Sequence, residues 1–214
     1  MRIKTASVTN AGGREYNDDS VSIRQKGDCT WVYVGDGLGG YAGGRLASQA
    51  AGESLMDTAR RGSLLTDERL QEAAEAAQKA VCKVQQEKEG NMKTTLTFLA
   101  IEAGRARWMH VGDTRVYHFR GGVLQTQTMD HSVSQMAVLM GEITPREIRF
   151  HEDRNRVLRA LGGDNAKPEL SHTVMLTGGE DVFLLCTDGF WEYVYEEEME
   201  ELLKKCSSPK KWLA

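Results

Sequence analysis

Apolar and polar positions alternate along the first part of the chain. ASVTN, DSVSIRQ and CTWVYVG read as short strands separated by turn residues. From Ala42 the period becomes helical. AGGRLASQAAGESLMDTARRG carries apolar residues three and four apart and stops at Gly62. A second helix is predicted from about Thr66, which can cap it, to about Glu89, with Gly90 as its stop. Its middle, LQEAAEAAQKAVCKVQQ, consists of strong helix formers.

Strands then return as TTLTFLAIEA, ARWMHVG, TRVYHFR and VLQTQT. The separators AGR, GD and GG read as hairpin signals. Residues 131–161 are polar and irregular, with short helices expected near SQMAVLM and RNRVLRAL. ELSHTVML and EDVFLLCT are strands again. An amphipathic helix from about Tyr195 to Cys206 places its acids first and Lys204 and Lys205 last, as the helix dipole favours. The order predicts an α+β domain with helices packed on antiparallel sheet layers, not a βαβ alternation. No linker or repeat divides the 214 residues, and only three prolines occur, so a single domain over 1–214 is expected.

Composition narrows the function. Hydrophobic residues make up 40% and charged residues 27%, as in ordinary soluble domains. A net charge of −4 with scattered basic residues argues against nucleic-acid binding. No apolar run approaches a membrane span, and no signal core follows the N-terminus, so a cytoplasmic protein is expected. Cys29, Cys82, Cys186 and Cys206 stand far apart and read as reduced thiols. The five histidines form no close pair.

The chemistry lies in the acids. In WVYVGDGLGG and CTDGFWE, Asp36 and Asp188 each end an apolar run and precede glycine. Asp-Gly alone is a common turn pair. Here, however, a helix follows each acid, so each sits at a strand exit where its side chain can enter a shared cleft. The adjoining glycines let backbone carbonyls approach a ligand. Asp18 and Asp19 adjoin at the entry to a strand and face opposite sides, so one of them faces any given site. Either a solvated acidic turn or a ligand is open at that position. Arg14 is either a surface arginine or a fork for phosphate. Several carboxylates with a carbonyl make hard oxygen ligands suited to Mg²⁺ or Mn²⁺. Two such ions can activate water for displacement at phosphorus.

These residues resemble the metal-dependent protein phosphatases of type 2C (the PPM family) in their compact bacterial form. The matching stretches run in order through most of the chain: REYNDDS at 14–20, DGLGGYAGGRLAS at 36–48, TT at 94–95, VGDTRVY at 111–117, MDHSV at 129–133, GEITP at 141–145, NRVLRALG at 155–162 and CTDGFWE at 186–192. The resemblance implies a four-layer αββα sandwich, two antiparallel sheets flanked by helix pairs, with a two-metal site at one end. It implies Mn²⁺- or Mg²⁺-dependent hydrolysis of phosphoserine and phosphothreonine through a metal-bridged water. Asp36 then bridges both ions, Gly37 offers its carbonyl to the second, Asp18 is a metal-binding acid and Asp188 is a ligand of the first. Arg14 binds substrate phosphate. Asp113, with Asp188, holds a weaker third ion, and Glu192 stands near it. Asp19 orients its neighbours. Residues 129–163 cover the flap region that contributes to substrate choice. The implied partners are phosphoproteins made by a Ser/Thr kinase, met by a monomer.

Two positions depart from the family. Tyr41 stands where bacterial members often carry His, and tyrosine is a poor proton shuttle at neutral pH. The last strand of the family, which begins Asp-Asn and supplies a ligand to the first ion, does not follow Leu213. Weaker binding of that ion, an unpaired sheet edge and reduced activity are therefore expected. The alternatives are a phosphoprotein-binding pseudophosphatase and a phosphatase of the same fold acting on anti-sigma-factor antagonists.

Overall fold

The computed structural model describes residues 3–39 and 43–214. Its strands are Ser20–Lys26 (β1), Cys29–Gly35 (β2), Gly37–Leu38 (β3), Lys93–Thr94 (β4), Leu96–Glu102 (β5), Arg105–Val111 (β6), Arg115–Arg120 (β7), Val123–Gln127 (β8), Glu169–Leu170 (β9), Val174–Met175 (β10) and Asp181–Cys186 (β11). Its helices are Gly43–Ala59 (α1), Asp67–Lys88 (α2), Val133–Leu139 (α3), Asp188–Trp191 (α4), Glu196–Lys205 (α5) and Pro209–Trp212 (α6), with a 3-10 turn at Pro145–Phe150. Thr66 caps α2 and Glu89 ends it in the left-handed region.

Alternation within strands builds four layers. On β2, Trp31 and Tyr33 are buried against α1 and α2, together with Phe98 and Met109. Val32 takes the opposite face and joins Leu99, Ile101, Trp108, Val116, Phe183 and Leu185 between the two sheets. On the second sheet, Tyr117, Phe119 and Leu184 turn outward onto Trp191, Met199 and Trp212. This is the αββα order that the resemblance implied. Helix α1 comes close because Gly52 has no side chain. A Cβ there would lie 2.6 Å from the Tyr33 ring, whose hydroxyl donates to Ser48 O at 2.8 Å.

The larger sheet runs β1-β2-β5-β6-β10, with β9 also on β6, and the smaller runs β11-β7-β8. All pairs are antiparallel. The AGR and GG separators do make hairpins: Ala103 and Gly104, and Gly121 and Gly122, all have positive φ. GD does not. The chain leaves β6 in one sheet and enters β7 in the other, and Gly112 at φ 101° makes the corner.

Three expected elements differ. Residues 6–10 form no strand and pair with none among the described residues, and they line a cleft of about 1300 Å³. RNRVLRAL is not helical, because Val157 and Leu161 are tied by isolated bridges to Ser132 and Thr94. ELSHTVML forms only the short β9 and β10. β11 pairs with β7 along one edge, and among the described residues its other edge borders the same cleft. No helix among the described residues is long and apolar enough to cross a membrane.

Candidate metal centre

Strand ends deliver acids to one end of the sandwich. Asp36 follows β2, Asp113 sits at the β6–β7 corner, Asp188 opens α4 just after β11, and Asp19 precedes β1. Asp36 feels the other three. Burial first, then Asp188, Asp19 and Asp113, push the Asp36 carboxyl up to about 8, while Arg14 partly offsets them. Burial, Asp188 and Asp130 push Asp113 up to about 8. Burial also raises Asp19, against the opposing effect of its Thr187 hydrogen bond.

Asp36 is buried and its Oδ1 has no hydrogen-bond partner. A buried acceptor without a donor, ringed by acids that resist ionising together, fits a divalent cation. The donor set is carboxylate and carbonyl oxygen, which suits Mg²⁺ or Mn²⁺.

The adjoining acids point to different neighbours. Asp19 is the one that accepts from Thr187 and lies near enough to Asp36 for each carboxyl to affect the other. Asp18 turns toward α1, where its Oδ1 accepts from Arg45 N–H at 3.2 Å and its carbonyl accepts from Ser48 Oγ at 2.7 Å. Successive residues of an extended chain face opposite ways, and Asp19 has the side facing the cluster. Asp18 still borders Gly37: a Cβ on Gly37 would lie 2.6 Å from Asp18 O and 2.2 Å from Gly44 O. Gly37 and Gly44 meet backbone to backbone, so neither position has room for a side chain.

Arg14 is exposed at the rim, close enough to lower both Asp36 and Asp19. Glu192 pairs with Arg154 at 3.1 Å, and burial and then Asp188 raise its carboxyl. Tyr41 lies outside the described residues.

Uncharged residues lock the acids in place. Thr95 Oγ1 accepts from Asp36 N–H at 2.8 Å and touches the Thr114 hydroxyl. Thr94 Oγ1 and Thr95 N both donate to Asp36 O at 2.9 Å. Thr187 Oγ1 donates to Asp19 Oδ2 at 2.9 Å. Trp191 Nε1–H donates to Asp113 O at 2.9 Å. Sequence reasoning gave these residues no role, although each stands within or beside a matched stretch, and that adjacency was the available signal.

His131 clamps the Asp113 corner from the other side. Its N–H donates to Gly112 O at 2.9 Å, and its Nδ1 accepts from Gly112 N–H at 3.1 Å. The ring proton therefore sits on Nε2, which faces Glu169 at 3.5 Å. His110 stacks on His131 and donates through Nε2 to Met129 O. These two rings and Glu169 offer ligand atoms within 4.8 Å of one another. The His131 tautomer makes them a hydrogen-bonded brace, because its Nε2 carries a proton where a metal ligand needs a lone pair.

The αββα sandwich with an acid cluster at one end has the form that the resemblance implied. The chain matches the protein phosphatase 2C family over residues 10–211 and belongs to it. It is 35% identical to the serine/threonine protein phosphatase PstP of Mycobacterium tuberculosis, over 89% of this chain and 37% of that protein. It thus spans little more than a third of that relative's length. It is 33% identical to the serine/threonine phosphatase stp of Listeria monocytogenes, over 89% of this chain and 79% of the relative. Among solved structures, the PstP catalytic domain in complex with 2 manganese ions superposes with a TM-score of 0.77 at 32% identity, over 94% of this chain and 83% of that one.

Proposed function

We propose that this chain is a protein serine/threonine phosphatase that uses Mn²⁺ or Mg²⁺. The observation that carries the reading is the convergence of Asp19, Asp36, Asp113 and Asp188 around a buried carboxylate oxygen that has no donor. Family membership and the manganese-bound relative support it. As the resemblance implies, Asp36 would be shared by two ions, with Gly37 and Asp18 contributing to one and Asp188 to the other. Asp113 and Asp188 would hold a third. The position of Asp19 beside Asp36 adds it to the candidate ligands. When bound, the ions would supply positive charge and lower the pKa of water at the site.

The chain's own residues position the substrate and hold the ions. Arg14 would grip the phosphate oxygens from the rim, which leaves the phosphoserine or phosphothreonine backbone outside. The threonine ties fix the backbone of Asp36 at the end of β2, so the ions would meet a strand end already held in place. The reading extends to phosphoproteins made by a Ser/Thr kinase, met in the cytoplasm by a monomer of one domain.

The test is phosphate release from a phosphothreonine peptide, titrated with Mn²⁺, with Asp36→Asn as background. Turnover that requires Mn²⁺ and disappears in the variant supports the reading. No turnover at millimolar Mn²⁺, with the fold intact, overturns it.

A further inference from the structure

Helix α4 is a single turn, and its two ends do different things. Asp188 at its start faces Asp36 and Asp113, whose charges it perturbs. Trp191 at its end is 1% exposed and reaches the β6–β7 corner, where its indole N–H meets the carbonyl of Asp113 at 2.9 Å. One rigid turn thus holds one acid and grips the backbone of the other. The indole cannot drift. Arg115 lies over its ring at 3.6 Å, and Arg115 is itself held by a two-pronged bond to Asp130 at 2.8 and 2.7 Å. Both side chains of that pair are nearly inaccessible to solvent, at 3% and 1%.

We propose that Trp191 is a positioning residue that sets the separation of Asp113 and Asp188, and with it the affinity for a divalent cation held between them. The proposal rests on the reading of the site as a cation centre. The physical argument is preorganisation. Asp113 is buried and Asp188 half-buried, their charges repel, and without a tether the β6–β7 corner relaxes away from α4. A cation binding there must then draw the corner back, which costs affinity. Hydrogen bonds that orient ligands from behind typically change metal affinity by about tenfold or more when removed. Trp191 touches Asp113 through its carbonyl, not its carboxylate, so it shapes the cation's cage without joining it. The sites around Asp36 are held by Thr94 and Thr95 instead, and they should not depend on the indole.

The experiment compares the full chain with Trp191→Phe and with benzothienylalanine placed at position 191. The second keeps the two-ring shape and removes only the N–H. Trp212→Phe is the control, since Trp212 also donates its indole N–H, to Met199 O, within the outer helical layer. Mn²⁺ binding is followed by calorimetry and by electron paramagnetic resonance of free Mn²⁺, with melting of the metal-free proteins alongside. The expected result is about tenfold weaker binding in the weakest step for both position-191 variants, with the tighter steps retained. The control should bind as the parent does. An unchanged weakest step in the benzothienylalanine protein overturns the proposal, as does equal weakening of every step or the same loss in the control. If the parent itself binds no Mn²⁺, the reading of the site falls, and the inference with it. That outcome is distinct from a parent that binds and variants that match it.

Discussion

Thr187 Oγ1 donates to Asp19 Oδ2 across 2.9 Å, joining the residue before Asp188 to the residue before β1. This contact aims Asp19 at Asp36. Thr187→Val should cost about 1 kcal/mol of stability from the lost hydrogen bond. It should also raise the Mn²⁺ concentration needed for half-maximal binding. Asp19→Asn should raise it more than Asp18→Asn does, since Asp18 is engaged with Arg45. Parallel calorimetric titrations of the three variants check the order.

Asp36→Asn should exchange stability and function. The folded metal-free protein holds the Asp36 proton up to about pH 8, whereas an unfolded carboxyl releases it near 4. Between those values the folded state binds more protons, so stability falls as pH rises and levels off above about 8. Removing the charge removes that fall. Chemical denaturation without metal should show the variant gaining on the parent from pH 4 to 8. Added Mn²⁺ should stabilise the parent much more than the variant.

His131 has the opposite sign. Burial first, then the neighbouring His110, hold its pKa down to about 4. Between about 4 and the unfolded value near 6.5 the unfolded state binds the extra proton, so stability is lost as pH falls through that window. His131→Asn leaves an oxygen able to accept from Gly112 N–H and removes the titration. Melting temperatures from pH 4 to 7 should show a flatter acid limb in the variant.

Gly44→Ala tests the backbone contact behind Gly37. The added Cβ would lie 2.4 Å from Gly37 O, and neither partner is a flexible side chain. Relief requires α1 to move, at a cost of about 1–3 kcal/mol in urea denaturation. Because the Gly37 carbonyl is a candidate ligand, Mn²⁺ binding should weaken in the same variant.

Most of the fold was legible because its signals were periodic or capped. The α2 boundaries followed from Thr66 and Gly90, and β2 and β5 followed from apolar runs. What failed was decided by distant contacts. RNRVLRAL has helical spacing, but its Leu161 exchanges backbone hydrogen bonds with Thr94, and that pairing overrides local preference. GD resembled a hairpin because the local residues permit one, and only the second sheet tells the chain to cross over. In the site, Asp36, Asp113 and Asp188 stood out as acids ending apolar runs. Choosing between Asp18 and Asp19 needed the register of β1 on β2, which places Ser20 opposite Gly35 and so brings Asp19 to Asp36. Nothing in the sequence marked Trp191, since nothing in a sequence shows where an indole N–H points.

The free edge of β11 bears on how the molecule opens. A strand bonded on both sides, such as β5, exchanges its amide hydrogens only when the sheet comes apart. Among the described residues β11 is bonded to β7 alone, and its other edge borders the cleft. It should be the first of the acid-bearing strands to detach, taking Asp188 with it while Asp36 and Asp113 stay in place. Hydrogen exchange would register this as a partial opening, distinct from unfolding, in which the site is dismantled although most of the sandwich is intact.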